Sequence, residues 1–146
     1  RIMSLKDGSK KMSKSELSDL SRINLTDDKD MIVNKIKKAK TDPLPMPSNI
    51  QDLDKRPEAK NLIGIYSSLS GSSLEKCVED FSGKNFSSFK ENLSQVLVEK
   101  IEPISNEIKK LLKDKKYLDE TLYQGYKKAN LIAVEKIKKI HEIVGF

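Results

Sequence analysis

The sequence has one cysteine, one histidine and no long apolar run. A single cysteine, Cys77, cannot form a disulfide within the chain, which fits a reducing compartment. Cys77 and His141 together cannot supply the four ligands of a structural zinc site, so we expect no structural metal. No apolar stretch approaches the roughly 20 residues of a membrane-spanning helix, and the N-terminus lacks the apolar stretch of a secretory signal. We therefore expect a cytoplasmic protein with no membrane partner.

Charge is abundant, with 28 Lys and Arg against 22 Asp and Glu among 146 residues, for a formal net charge of +6. Apolar residues make up 36% of the chain, which suffices for one hydrophobic core but not for two large ones. These values describe one domain with a basic surface and exclude a complete two-domain enzyme.

After residue 25 apolar residues recur at spacings of three and four, which is typical of amphipathic helices. The first predicted helix begins near Thr26 and ends before Pro43, and its outer face is basic, with Lys29, Lys35, Lys37, Lys38 and Lys40. Three prolines then indicate an extended connector over about 42–56. Four further helices are predicted over about 57–70, 72–82, 88–113 and 116–143, with Cys77 buried in the second and a kink at Pro103 in the third.

No strand pattern occurs after residue 25, and short polar joints between long helices favour antiparallel neighbours. The sequence therefore predicts an all-α fold, a helical bundle preceded by a short strand and a loop. Residues 1–21 are rich in Lys, Ser and Asp. We predict a turn at Asp7-Gly8 and an exposed mobile loop beyond it, outside the core.

Residues 11–15 read Lys-Met-Ser-Lys-Ser and form the most informative string in the chain. When a carboxylate attacks the α-phosphate of ATP, negative charge grows on the departing pyrophosphate, and ammonium groups on a mobile loop can stabilise it. Lysine suits this task because it is a compact charge on a flexible stem. Serine hydroxyls and loop N–H groups can add hydrogen bonds to phosphate oxygens. The alternative is a solvated basic loop that binds no ligand.

The string matches the KMSKS signature of class I aminoacyl-tRNA synthetases. Its flanks extend the match, because segments 1–5, 35–42, 61–71 and 83–90 resemble, in order and spacing, the C-terminal part of bacterial tryptophanyl-tRNA synthetases. The resemblance covers essentially the whole chain to Gly145-Phe146. It implies an ATP-dependent tryptophan-tRNA ligase. Such an enzyme forms tryptophanyl-adenylate from tryptophan and ATP, which Mg²⁺ accompanies, and then transfers the tryptophanyl group to tRNA(Trp).

The resemblance also assigns roles by position. Lys11 and Lys14 are the implied catalytic lysines, with Lys14 placed at the pyrophosphate transition state. The implied ATP-binding residues are Ile2 and Met12 on either side of the adenine, together with Lys11, Ser13, Lys14 and Ser15. After the loop, Glu16-Leu17-Ser18-Asp19 replaces the Asp-Pro-Asn continuation frequent in the family.

The sequence contains no Gly-rich strand-to-helix turn and no His-x-x-His, features that the family carries in an upstream Rossmann-like catalytic domain. The resemblance therefore implies that residues 1–25 are the tail of that domain and that 26–146 form the helical anticodon-binding domain. On this interpretation the chain begins just before the catalytic loop. We expect the isolated chain to form no adenylate and to be a monomer, and the complete protein to be a homodimer.

Two further groups of residues have competing interpretations. One group, called here the lysine cluster, comprises Lys109, Lys110, Lys113, Lys115 and Lys116. It could bind tRNA phosphates, or it could be a favourable set of cations at a helix C-terminus. Tyr117, Tyr123 and Tyr126 could stack on anticodon bases, although we expect at least two of them to pack between helices. His141 has no acid or nucleophile at a useful spacing, and the carboxylates are scattered over polar faces.

Three alternatives to a tryptophan-tRNA ligase remain from the sequence. One is a non-catalytic helical module that binds tRNA, and another is a helical interaction protein with an accidental KMSKS. The third is a fragment of a tyrosyl-tRNA synthetase. Tyrosyl enzymes commonly continue beyond the helical domain into a small basic module, and this sequence stops at Phe146, which favours the tryptophanyl interpretation.

Overall fold

The computed structural model describes residues 1–145 and begins with a small antiparallel hairpin. Strand β1 (Met3–Ser4) pairs with β2 (Asp7–Lys11), with Met3 opposite Lys11 and Ser4 opposite Asp7. A 3₁₀ turn at Asp19–Ser21 precedes the helices. Among the described residues these are α1 (Lys29–Lys37), α2 (Ile50–Leu53), α3 (Pro57–Ser70), α4 (Leu74–Phe81), α5 (Phe86–Lys113) and α6 (Lys115–Val144). The predicted mostly helical class is confirmed.

The helix ends follow local chemistry. Asp28 caps α1, since its side chain accepts a hydrogen bond from the Met31 N–H at 2.9 Å. Helix α3 begins with Pro57, which has no N–H to leave unpaired, and ends at Gly71 with φ +74°, a conformation that favours glycine. Both α3 boundaries agree with the sequence prediction. Helix α5 continues through Pro103 to Lys113.

The chain divides into two compact units, Arg1–Asn106 and Glu107–Phe146. The predicted boundary between 1–25 and 26–146 concerns the parts of a longer protein and stays a prediction. The first unit contains a core in which Phe81 and Phe89 meet edge to face at 4.8 Å between ring centroids. Cys77 belongs to this core at 1% exposure, and burial raises the pKa of its thiol.

The prediction that residues 1–21 lie outside the core is wrong, because Leu5 is 2% exposed and packs within it. Main-chain bonds hold Leu5 on both sides: its N–H donates to Ser21 O at 2.9 Å, and its O accepts from Lys40 N–H at 2.7 Å. The turn lies at Leu5-Lys6 and not at Asp7-Gly8. Gly8 is a strand residue, and its backbone lies against Pro57 and Glu58 at the start of α3.

Lys35 does not belong to the exposed basic face that the helical spacing predicts for α1. Its side chain is 3% exposed, and its Nζ lies 2.7 Å from Asp27 Oδ2 and 2.6 Å from Asp19 Oδ2. Asp27 is also buried and accepts a hydrogen bond from the Asn24 N–H at 2.8 Å. A buried ammonium is tolerated because two carboxylates compensate its charge. This cluster also corrects the expectation that all carboxylates lie on polar faces.

The connector between α1 and α3 is less extended than the prolines predict, since it contains α2 and buries Met46 and Leu53. Arg56 fastens it, donating from Nε and Nη2 to the Asp42 carboxylate at 2.9 and 2.6 Å. Burial pushes the pKa of Asp42 upward, but the hydrogen bonds from Arg56 and from the Leu44 N–H outweigh it and leave that pKa below its ordinary value.

In the second unit, α6 contains no buried residue. Its tyrosines Tyr117, Tyr123 and Tyr126 are 54%, 56% and 59% exposed, so the expectation that at least two of them pack between helices is wrong. Tyr123 and Tyr126 instead stack on each other with ring centroids 6.2 Å apart, because they are three residues apart on the same face of the helix.

Replacing Gly8 by alanine should destabilise the chain by about 1–3 kcal/mol, because a Cβ at this position would lie 2.5 Å from Glu58 N and Pro57 C. Urea unfolding followed by circular dichroism measures the loss. Gly64→Ala is the matched control, since a Cβ there meets nothing within 4 Å and alanine favours a helix interior. Equal stability of the two variants would contradict the close approach of the hairpin to α3.

Lys35→Met should cost about 3–5 kcal/mol, because it leaves the buried Asp27 carboxylate without its counter-charge. The double variant Lys35→Met/Asp27→Asn should recover much of that loss, since no buried charge then remains unpaired. Thermal and urea denaturation of both variants measures the difference. Lys38→Met, at an exposed position just after the same helix, is the control and should change stability by less than about 0.5 kcal/mol.

Candidate functional site

The KMSKS residues lie where the hairpin ends. Lys11 is the last residue of β2, and Met12 continues directly from it. The Met12 N–H donates to Ile2 O at 3.2 Å, so the hairpin brings together the two residues that the resemblance places at the adenine. Ile2 is 53% exposed, while the Met12 side chain packs against the core. The end of the hairpin thus brings the main chain of two separate segments together.

Lys11 and Lys14 are both exposed, and neither makes an ion pair with another residue in the described range 1–145. Their neighbour Lys10 differs, since its Nζ lies 3.5 Å from the Asp7 carboxylate. Two ammonium groups without a protein counter-ion, three positions apart, can meet an anionic ligand with no internal bond to break. Ammonium groups form charge-assisted hydrogen bonds with phosphate and carboxylate oxygens.

The two serines of the motif organise the loop locally. Ser13 Oγ and Ser15 Oγ are 3.0 Å apart, and the Ser15 N–H donates to Ser13 Oγ at 3.3 Å. Such side-chain to main-chain bonds stabilise a tight turn. Lys14 therefore lies at a turn between two hydroxyl groups, one of which donates its proton to the other while the second keeps its proton for another acceptor.

The segment after the motif, which includes Glu16 and Asp19, is tied to the helical part of the first unit. Arg22 Nη1 donates to Glu16 O at 2.9 Å, and Arg22 Nη2 lies 3.1 Å from Asp19 Oδ1. Asp19 in turn pairs with Lys35 of α1. The hydrogen bonds from Lys35 and Asn24 lower the pKa of Asp19, so it is anionic at neutral pH. The downstream end of the loop therefore has a fixed attachment to α1 and to Arg22.

The upstream end has an attachment that sequence reasoning missed. The Asn61 side chain, on α3, accepts from the Met3 N–H at 2.9 Å and donates from Nδ2 to Met3 O at 2.9 Å. Asn61 is 7% exposed. The available signal was an amide among the apolar residues Leu62, Ile63 and Ile65, because a buried amide requires polar partners.

The lysine cluster lies entirely in the second unit. Lys109 is half-buried, and the other four lysines are exposed. Lys110 is partly compensated, since its Nζ lies 3.5 Å from Glu107 Oε1. Lys113 ends α5, while Lys115 and Lys116 are the first two residues of α6. The cluster thus spans the end of one helix and the beginning of the next.

A groove of about 630 Å³ in the first unit is lined by Lys29 and Lys37 of α1 and by Lys90 of α5. Lys90 is engaged within the protein, because its Nζ donates to Ala39 O at 2.7 Å and to Lys37 O at 3.2 Å. These bonds satisfy carbonyls at and just beyond the end of α1, and burial lowers the pKa of Lys90. The charge of Lys90 is therefore explained by its hydrogen bonds to the end of α1.

Within residues 1–145, no three or more His, Cys, Asp or Glu side chains gather as metal ligands would. The helices of that range also include none with the length and apolar character needed to cross a bilayer.

The chain is similar to known proteins along its whole length. Relatives called tryptophan-tRNA ligase include one from Mesorhizobium japonicum, 50% identical over 145 residues, and one from Agrobacterium fabrum, 49% identical over 146 residues. The alignments cover 99% and 100% of this chain but 41% of each relative, so the chain spans about two fifths of their length. A crystal structure of tryptophanyl-tRNA synthetase from Mycoplasma pneumoniae matches with a TM-score of 0.58 and 28% identity, over 75% of this chain and 35% of that one.

The sequence profile of the family described as tRNA synthetases class I (W and Y) matches residues 1–102, which include the hairpin, the KMSKS residues and most of the helices of the first unit. With the family matching most of the chain and relatives of one kind aligned to nearly all of it, this chain belongs to the class I tRNA synthetases of the W and Y group.

Proposed function

We propose that this chain is the part of a tryptophan-tRNA ligase that supplies the phosphate-binding KMSKS loop and the helices that bind tRNA(Trp). Residues 1–25 are then the end of the catalytic domain, and 26–146 form the anticodon-binding domain. The observation that carries the proposal is a pair of exposed lysines without ion pairs at the end of a hairpin, in a chain about 50% identical to tryptophan-tRNA ligases.

In the first reaction step the tryptophan carboxylate attacks the α-phosphorus of ATP, and the bond from that phosphorus to the bridging oxygen of pyrophosphate breaks. Negative charge grows on the departing group, and Lys14 and Lys11 stabilise it through their ammonium groups. Mg²⁺ enters with ATP and shares that charge. Ser13 and Ser15 donate to phosphate oxygens, and Ile2 and Met12 contact the adenine.

In the second step a hydroxyl at the tRNA end attacks the tryptophanyl carbonyl of the adenylate, the bond from that carbonyl to the AMP oxygen breaks and AMP leaves. The lysine cluster helps to hold the tRNA during this step. Helix stability explains Lys110 and Lys113, since cations are favourable at the C-terminus of α5. It does not explain Lys115 and Lys116, because the first turn of α6 already carries the positive end of a helix dipole. Phosphate binding accounts for cations placed where the helix itself gains nothing from them.

Lys14→Ala in the full-length ligase should reduce kcat for tryptophan-dependent ATP-pyrophosphate exchange about 10²–10³-fold, the size expected for losing one transition-state charge contact. Binding of tRNA, measured by filter retention, should be unchanged. Lys10→Ala is the matched control, since Lys10 is a neighbouring exposed lysine that already pairs with Asp7. If wild-type protein binds tRNA(Trp) but catalyses no exchange, the chain belongs to a non-catalytic tRNA-binding protein.

Lys115→Ala/Lys116→Ala should weaken tRNA(Trp) binding and reduce the slope of log affinity against log salt by about 1–2, because each phosphate contact releases condensed counter-ions. Exchange activity should stay at the wild-type level. Lys136→Ala/Lys138→Ala removes the same charge from exposed positions further along α6 and serves as the comparison. Identical salt slopes for the two double variants would assign Lys115 and Lys116 to the solvated surface.

A further inference from the structure

The hairpin that leads into the KMSKS loop is too small to define its own geometry. Strand β1 has two residues and β2 has five, and the pairing register shifts between Met3 and Ser4. An isolated two-stranded hairpin is at best marginally stable in water. Contacts outside the hairpin must therefore fix where β1 lies, and with it the positions of Lys11, the last residue of the partner strand, and of Met12 directly after it.

Asn61 provides such a contact on the outer edge of β1. In a strand the N–H and C=O of one residue point to the same side, and those of Met3 both meet the Asn61 amide at 2.9 Å. The carbonyl of the preceding residue, Ile2, points the other way and accepts the Met12 N–H. The Asn61 side chain thus makes the two hydrogen bonds to Met3 that a neighbouring third strand would make. On the opposite side of β1, Ile2 bonds to Met12 at the start of the loop.

We propose that Asn61 is a positioning residue for ATP: it fixes β1 through Met3, and β1 fixes the Ile2–Met12 pair and the adjoining Lys11. The inference rests on the proposed function, since it concerns the same loop. Asn61 does not touch the nucleotide. It acts through one main-chain residue, which lies beside Ile2 in sequence and opposite Lys11 in the hairpin.

An amide is the side chain that this role requires. Met3 presents its N–H donor and its C=O acceptor on one side. The asparagine amide has a matching acceptor, Oδ1, and a matching donor, Nδ2, at the same spacing. Aspartate has nearly the same shape, but as a carboxylate it opposes Met3 O with a second acceptor and loses that bond. Serine is too short to reach both groups. Because the site is 7% exposed, water is poorly placed to replace a lost bond.

The test measures ATP-pyrophosphate exchange by the full-length ligase carrying Asn61→Asp, with Asn61→Ser as a second variant if the first does not fold. We expect the KM for ATP to rise about tenfold while the KM for tryptophan stays within about twofold, because only the loop that meets ATP has moved. Ile63→Val is the matched control. It trims a fully buried side chain two positions along α3 and should lower the unfolding temperature without changing either KM.

An unchanged KM for ATP in folded Asn61 variants would overturn the inference, as would an equal rise in both KM values or an ATP effect reproduced by Ile63→Val. These results differ from failure of the proposed function. If wild-type protein shows no tryptophan-dependent exchange, the proposed function fails, whereas an active wild type with indifferent Asn61 variants removes only the positioning role.

Discussion

The candidate site depends on the packing of the hairpin against the first turns of α3. Gly8 lets the β2 backbone approach Pro57 and Glu58, Leu5 enters the core from the turn, and Asn61 holds β1 by its main chain. Each contact is of a different kind: a close approach, a buried side chain and a pair of hydrogen bonds. Together they give a two-residue strand a defined position, which its own pairing could not.

The loop that follows is held at both ends and left open in the middle. On one side Met12 bonds to Ile2, and on the other Arg22 binds the Glu16 carbonyl and joins Asp19 and the buried Lys35. Between these attachments Lys14 is exposed, and Lys11 is exposed just before the first of them. The attached main chain restricts the positions of the lysines, while their unpaired side chains can adjust to an anionic ligand. The main chain is therefore preorganised, and the side chains are adaptable.

Much of the helical framework could be predicted from the sequence, because apolar spacing, Pro57 and Gly71 are local signals. The hairpin could not, since its strands have no two-residue apolar alternation and are defined by contacts with residues far away in sequence, such as Pro57 and Asn61. The burial of Lys35 could not be predicted either, because its position in the helical pattern resembles those of its exposed neighbours. Only the fold brings Asp19 and Asp27 beside it. KMSKS was recognisable as a string, but its attachments, Arg22 and Asn61, are visible only in three dimensions.

The burial of Cys77 has a practical consequence for studying the loop. A thiolate is the reactive form of cysteine, and a thiol that is 1% exposed with a raised pKa reacts slowly with alkylating reagents at neutral pH. A cysteine introduced at exposed Leu17, two residues beyond the motif, would therefore carry a fluorescent or spin label selectively. The chain therefore suits spectroscopy of its KMSKS loop with little background labelling.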